Sequence, residues 1–125
     1  MAKSTGKPDF LATEPGSVGD MIYQYTAASL AAKIRALASP HSVHNIPTSG
    51  LQEDVNSMSL NAAERLHDML NLLTHLLSIH LVVSLDATTC VDCPPKIAEL
   101  YQRIRSVTYG ATPSERIAAA GRIWL

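Results

Sequence analysis

Gln52-Glu53-Asp54 sets an amide and two carboxylates side by side in a stretch that also holds Pro47, Thr48, Ser49 and Gly50. An amide and a carboxylate on one turn can grip a polar substrate group, and a carboxylate can take up or return a proton. The plainer use is capping, because acidic side chains suit the unsatisfied N–H groups and positive dipole end of a helix about to begin. Residue types alone favour capping for all three. A second chemical spacing is Cys90-x-x-Cys93. In a redox site that spacing follows a strand and sits at a helix N-terminus, which lowers one thiolate pKa. Here it follows a helical stretch and is closed by Pro94-Pro95, and a zinc site would want a second pair. Two reduced thiols at a helix end are expected, with no metal. His75 and His80 are five residues apart and do not stack on one helix face, so buried, hydrogen-bonded imidazoles are expected. His41 and His44 fall in a loop with no visible partner and are assigned no role.

The elements that must position these groups are helical. A chain of 125 residues is one domain's worth, enough for a modest core. It is 46% hydrophobic yet only 5% aromatic, an aliphatic balance that suits helices burying more than one face. The net charge of −1 draws neither nucleic acid nor anionic lipid. The charge is uneven, however. Residues 50–94 carry six acids against one Arg, and residues 95–125 carry five bases against two acids. Pairing of these parts across the fold is expected rather than a basic binding tail.

Residues 1–17 are rich in Lys, Pro, Gly, Ser and Thr and read as a flexible lead-in. Residues 18–125 read as one helical domain of two long helices and two short C-terminal ones. The first runs from about Val18 to Ala38, with Asp20 in its first turn, and Ser39-Pro40 stops it. Residues 41–53 are loop. A long helix follows from about Asp54 to Asp86, apolar on nearly every side in its second half, as befits the centre of a bundle. A membrane span is considered and set aside: the uncharged run between Asp68 and Asp86 is slightly shorter than the roughly 20 residues a bilayer requires. Asn71, Thr74, His75, Ser78, His80 and Ser84 also interrupt it. Pro95 suits a helix N1 position, and Ile97, Leu100, Ile104 and Val107 stripe the helix it opens. A loop around Tyr109–Thr112 leads to a last helix over 113–125. No strand pattern emerges, so the class is all-α, a long-helix bundle. So much aliphatic surface exceeds what these helices can hide alone, which points to an oligomer or a companion chain. No apolar run follows the basic residues of the first ten, so the cytoplasm is the expected compartment.

The stretch from Met21 to Leu66 resembles the aromatic amino acid ammonia-lyases, the histidine, phenylalanine and tyrosine enzymes, in their C-terminal part. Those share a helix of the form M-I-x-Q-x-T-A-A-x-L, a turn with Pro, and a P-T-S-x-x-Q-[ED] loop that opens a long central helix. Met21-Ile22, Gln24, Thr26-Ala27-Ala28, Leu30, Pro47-Thr48-Ser49, Gln52-Glu53-Asp54 and Ser57-Met58 follow in that order. The tail from Pro94 to Val107 looks like the family's Y-x-x-[IV]-R segment.

The resemblance implies that this loop lines an active site for loss of ammonia from an α-amino acid. Gln52 and Glu53 would bind substrate, and Glu53 would be catalytic. Glu53 matches a position that is Glu in the histidine enzymes and Gln in the phenylalanine ones, which leans toward histidine as substrate. Asp54 remains a helix cap. The family's methylidene-imidazolone forms from an internal Ala-Ser-Gly that this chain lacks, as it lacks the family's Tyr base and its carboxylate-binding Tyr and Arg. The implied role is therefore the C-terminal portion or split subunit of a lyase. It would supply the loop and oligomerisation helices, with the prosthetic group on a companion N-terminal lyase chain. The alternative is an inactive remnant serving as a helical interaction module. A third option, a piece of a longer polypeptide, is disfavoured by Met1 and the polar lead-in.

Overall fold

The computed structural model describes residues 6–88 and 93–123. Among them are four α-helices and no strand: α1 Met21–Leu37, α2 Ser59–Ala87, α3 Pro95–Thr108 and α4 Pro113–Gly121. Short 3-10 turns occur at Asp9–Leu11, His41–His44 and Ser49–Leu51. The first five residues of the lead-in, Cys90, and the last two residues of the expected final helix lie outside the described residues. Cys93 is disulfide-bonded, which corrects the expectation of two reduced thiols.

The 29 residues of α2 make a rod about 43 Å long, and the rest is arranged along it. Its C-terminal half carries the core. Ile79 and Val82 of α2 meet Tyr23 of α1 and Ala120 of α4, with Ala27, Leu30 and Ile117 packed around them. Because the start of α1 meets the end of α2, the two run antiparallel. At the opposite end Arg65 Nη1 donates to the carbonyls of Ser39 (2.7 Å) and Leu37 (3.3 Å), satisfying acceptors that the end of α1 leaves open. α3 is tied to the far end of α2 by Tyr101, whose hydroxyl donates to the Thr88 carbonyl at 2.9 Å. α4 opens with a capping box. The Glu115 amide donates to Thr112 Oγ1, and the Thr112 amide donates back to the Glu115 carboxylate at 2.8 Å. The Thr112 hydroxyl, which donates to the same carboxylate at 2.7 Å, and then the Thr112 amide hold the Glu115 carboxyl below its usual range.

One glycine is required. Gly19 has φ +49°, and a Cβ there would stand 2.3 Å from the Phe10 carbonyl oxygen and 2.8 Å from the Ala12 amide nitrogen. The Asp20 amide donates to that same carbonyl at 2.7 Å. Backbone on backbone, with no room for a methyl group, is how residues 10–12 are fastened to the entry of α1.

Three expectations are corrected. α2 begins at Ser59 with Met58 as its N-cap residue, so Asp54 stands five positions ahead of the helix and does not cap it. His75 and His80 are exposed, not buried, because α2 is covered on one side and mainly over its C-terminal half. His41 and His44 do have partners: each other, edge to face at 5.9 Å.

The uncovered side of α2 is apolar in a pattern. Leu66, Leu70, Leu73 and Leu77 are all exposed, at alternating spacings of four and three, the seam of a helix that packs on another helix. By length and composition alone α2 could also cross a bilayer. The accessible surface is 9341 Å², where a compact monomer of 13.5 kDa would show about 6500 Å².

Candidate active site

Between Asn45 and Met58 the chain makes a tight elbow. It is closed by one antiparallel bridge: the Thr48 amide donates to the Glu53 carbonyl at 3.0 Å and the Glu53 amide to the Thr48 carbonyl at 3.3 Å. Four intervening residues turn the chain, and three in succession, Ser49 (φ +53°), Gly50 (φ +65°) and Leu51 (φ +70°), are left-handed. Glycine does this freely, but a serine and a leucine each cost about 1–3 kcal/mol there and need surroundings that hold them.

Two asparagines supply those surroundings. The side chain of Asn45 reaches across nine and eleven residues at once. Its Nδ2 donates to the Asp54 carbonyl at 2.5 Å, and its Oδ1 accepts from the Asn56 amide at 2.6 Å. The Asn56 side chain returns the contact, donating from Nδ2 to the Ile46 carbonyl at 2.9 Å. The elbow is thus stitched at its base, and the stitches take up the backbone groups of Asp54 and Asn56. That is why α2 starts late: those groups are bonded across the elbow instead of along a helix.

At the tip, Thr48 Oγ1 donates to Glu53 Oε2 at 3.1 Å. One carboxylate oxygen is held, and the other has no donor among the described residues. Gln52 is adjacent and its side-chain amide makes no hydrogen bond among the described residues. The expected site pair therefore sits together, exposed, on a held backbone. An amide and a free carboxylate oxygen so placed can bind a ligand carrying N–H or O–H groups. Both side chains are exposed, so they can form one wall of a site.

The methylidene-imidazolone that the resemblance implies would form from a tripeptide, and the elbow offers Thr48-Ser49-Gly50 for it. Thr48-Ser49-Gly50 is not Ala-Ser-Gly, and its Thr48 carbonyl already accepts from the Leu51 and Glu53 amides. It does not fit the cyclisation.

A second polar cluster lies at the other end of α2, some 40 Å of helix away. Arg116 Nη2 donates to both oxygens of Asp86, at 2.6 and 2.7 Å, and Nη1 approaches the Tyr23 hydroxyl at 3.5 Å. Asp20 adjoins them with its Oδ2 buried and unbonded. Burial, with the Asp86 carboxylate beside it, pushes the Asp20 carboxyl above its usual range against the opposing pull of Arg116. A cavity of about 420 Å³ opens here among Asp20, Asp86, Arg105 and Arg116. Its charges are largely spent on one another and on joining α1, α2 and α4. Sequence reasoning expected pairing between the acidic and basic parts but did not identify this cluster, nor Asn45 and Asn56.

Comparison with known proteins places this geometry. The profile of the aromatic amino acid lyase family matches residues 1–106, which takes in the elbow and most of α3 and leaves α4 outside. Histidine ammonia-lyase of Legionella pneumophila is 42% identical over 107 residues, covering 82% of this chain and 21% of that protein. The histidine ammonia-lyase of Burkholderia multivorans is 39% identical over 108 residues, covering 84% and 21% respectively. That of Staphylococcus saprophyticus is 36% identical over 113 residues, covering 87% and 23%. The chain spans about a fifth of the length of these curated relatives.

Proposed function

The chain belongs to the aromatic amino acid lyase family, and on that premise we propose that it supplies one wall of a composite ammonia-lyase active site. The observation that carries this is the elbow: Gln52 and Glu53 stand exposed on a backbone that is strained and held. A loop held at such cost with its polar tip open is built to meet something.

Glu53 is the residue proposed to act on substrate. Thr48 fixes one of its carboxylate oxygens, leaving the other to accept a hydrogen bond from a substrate N–H. An imidazole offers such a donor and a phenyl ring does not, so histidine is the proposed substrate, in line with the relatives being histidine ammonia-lyases. Gln52 beside it can donate and accept. The methylidene-imidazolone, which supplies the electrophile for loss of ammonia, is proposed to reside on a companion N-terminal lyase chain.

The Leu66–Leu77 stripe of α2 is proposed as the helix that joins this chain to further copies or to that companion. Lipid is the poorer occupant. A bilayer would contact α2 on all sides, whereas Glu64, His67, Asp68, Asn71, His75 and His80 are exposed around the stripe. The proposed compartment is the cytoplasm.

The test is reconstitution. The chain is mixed with a polypeptide that carries an Ala-Ser-Gly segment and the remaining family residues, and histidine is added. Ammonia and an α,β-unsaturated acid should appear, and Glu53→Ala should abolish turnover without changing helical content. Turnover that survives Glu53→Ala sinks the site assignment. An assembled but inactive pair favours the helical interaction module.

A further inference from the structure

We propose that Asn45 and Asn56 are positioning residues for the reaction, acting through Glu53 without touching substrate. In its catalytic sense this rests on the lyase reading above; as a statement about the elbow it does not. The geometry is reciprocal. Asn45 bonds backbone on the far arm of the elbow on both sides of Val55, at Asp54 and Asn56, while Asn56 bonds backbone on the near arm at Ile46. The Asn56 amide contact is partly buried, and it is among the shortest bonds in the loop at 2.6 Å. Between the arms, residues 48–53 contain a single bridge and a run of left-handed backbone. Hydrogen bonds within that turn are local and exposed, so alone they leave the tip free to relax toward unstrained φ values. The side-chain stitches are what stop it.

The consequence falls on Glu53. Its amide and carbonyl form the bridge with Thr48, and its carboxylate is oriented by the hydroxyl of that same residue. Separating the arms therefore shifts the bridge and the carboxylate together. A catalytic group displaced by about 1 Å loses up to 100-fold in rate, because the cost is felt in the transition state more than in initial binding. Asn45 makes the two short bonds across the elbow, at 2.5 and 2.6 Å, whereas Asn56 Nδ2 donates to the Ile46 carbonyl at 2.9 Å and only at 3.5 Å to Thr48 Oγ1, so Asn45→Ala should be the more damaging change.

Two measurements on the full chain test this. In the chain alone, amide hydrogen exchange should accelerate at least 10-fold at Thr48 and Glu53 in Asn45→Ala, and less in Asn56→Ala. Exchange at Ile79 and Val82 should be unchanged. In the reconstituted pair, kcat for histidine should fall about 10- to 100-fold in Asn45→Ala while KM stays within about threefold. A loss of protection with kcat intact overturns the positioning role, as does unchanged exchange at Thr48 and Glu53. An inactive wild-type pair is distinguishable from either: it removes the lyase reading and the catalytic role of the clamp with it.

Discussion

Arg116→Met should destabilise the fold by about 2 kcal/mol at neutral pH, and the loss should shrink on acidification. Arg116 holds Asp86 through both carboxylate oxygens and lies between α4, α2 and the Tyr23 hydroxyl of α1. Exposed ion pairs are worth about 0–1 kcal/mol, and removing one partner of a fully buried pair costs about 3–5 kcal/mol. With side-chain exposures of 18% for Arg116 and 31% for Asp86, this pair falls between those limits. Met keeps the bulk of the side chain, so little of the loss comes from packing. At about 2.1 cal/mol/K per residue for 125 residues, a loss of 2 kcal/mol lowers Tm by about 8 °C.

The pH dependence has a definite sign. The Asp20 carboxyl is already raised above its ordinary range by burial and by Asp86, with Arg116 opposing. Removing the cation raises it further. A carboxyl with a raised folded pKa binds more protons in the native state than in the unfolded one, so stability falls as pH rises through the folded value and is regained below the unfolded one. The gap between wild type and Arg116→Met should therefore be widest at pH 7 and narrow progressively as pH falls toward 4. Urea titrations at both pH values, with Asp86→Asn and the double variant completing a cycle, measure it. A loss under about 0.5 kcal/mol at pH 7, or one of equal size at pH 4, refutes the account of this cluster.

Other outcomes follow from the same structure. Gly19→Ala should cost about 1–3 kcal/mol by thermal denaturation, because the new methyl group meets the Phe10 carbonyl and the left-handed φ disfavours it. Ile104→Ala, at 2% exposure the largest fully enclosed side chain, should cost about 2–5 kcal/mol in the same assay. Leu70→Glu with Leu77→Glu, both on the exposed stripe, should lower the sedimenting mass while the circular dichroism stays helical. An unchanged mass would mean that α2 is not the joining surface.

Much of the fold was legible because punctuation in the chain is local. Ser39-Pro40 stops α1 close to where it was expected to stop, and Pro95 opens α3 at the expected N1 position. The loop around Tyr109–Thr112 leads into α4 as expected, and there Thr112 and Glu115 form the capping box. The leucine spacing of α2 could be read too, but spacing does not say whether a stripe faces its own chain or another. That is why burial was overestimated for His75 and His80. Gln52 and Glu53 were singled out by resemblance, while the asparagines that hold the elbow were not. Nothing near Asn45 marks it as the partner of a residue eleven positions on, since side-chain bonds of that span leave no periodic trace.

The aspartates show where local reading stops. Asp20, Asp54 and Asp86 each stand near a helix end, and the first two look like dipole-complementing residues at helix starts. Asp20 is indeed the N-cap residue of α1, yet its side chain makes no capping bond, and its environment favours the protonated form. Asp54 is removed from helix geometry altogether, its carbonyl bonded by Asn45. Asp86 lies near the end of α2, where the helix dipole opposes a negative charge, and is held there by Arg116 from α4. Residue type is the same in all three; what differs is the neighbour that another segment brings: Asp86 beside Asp20, Asn45 on the Asp54 carbonyl, and Arg116 on Asp86. At Glu53 it is Thr48, across the elbow, that orients one carboxylate oxygen.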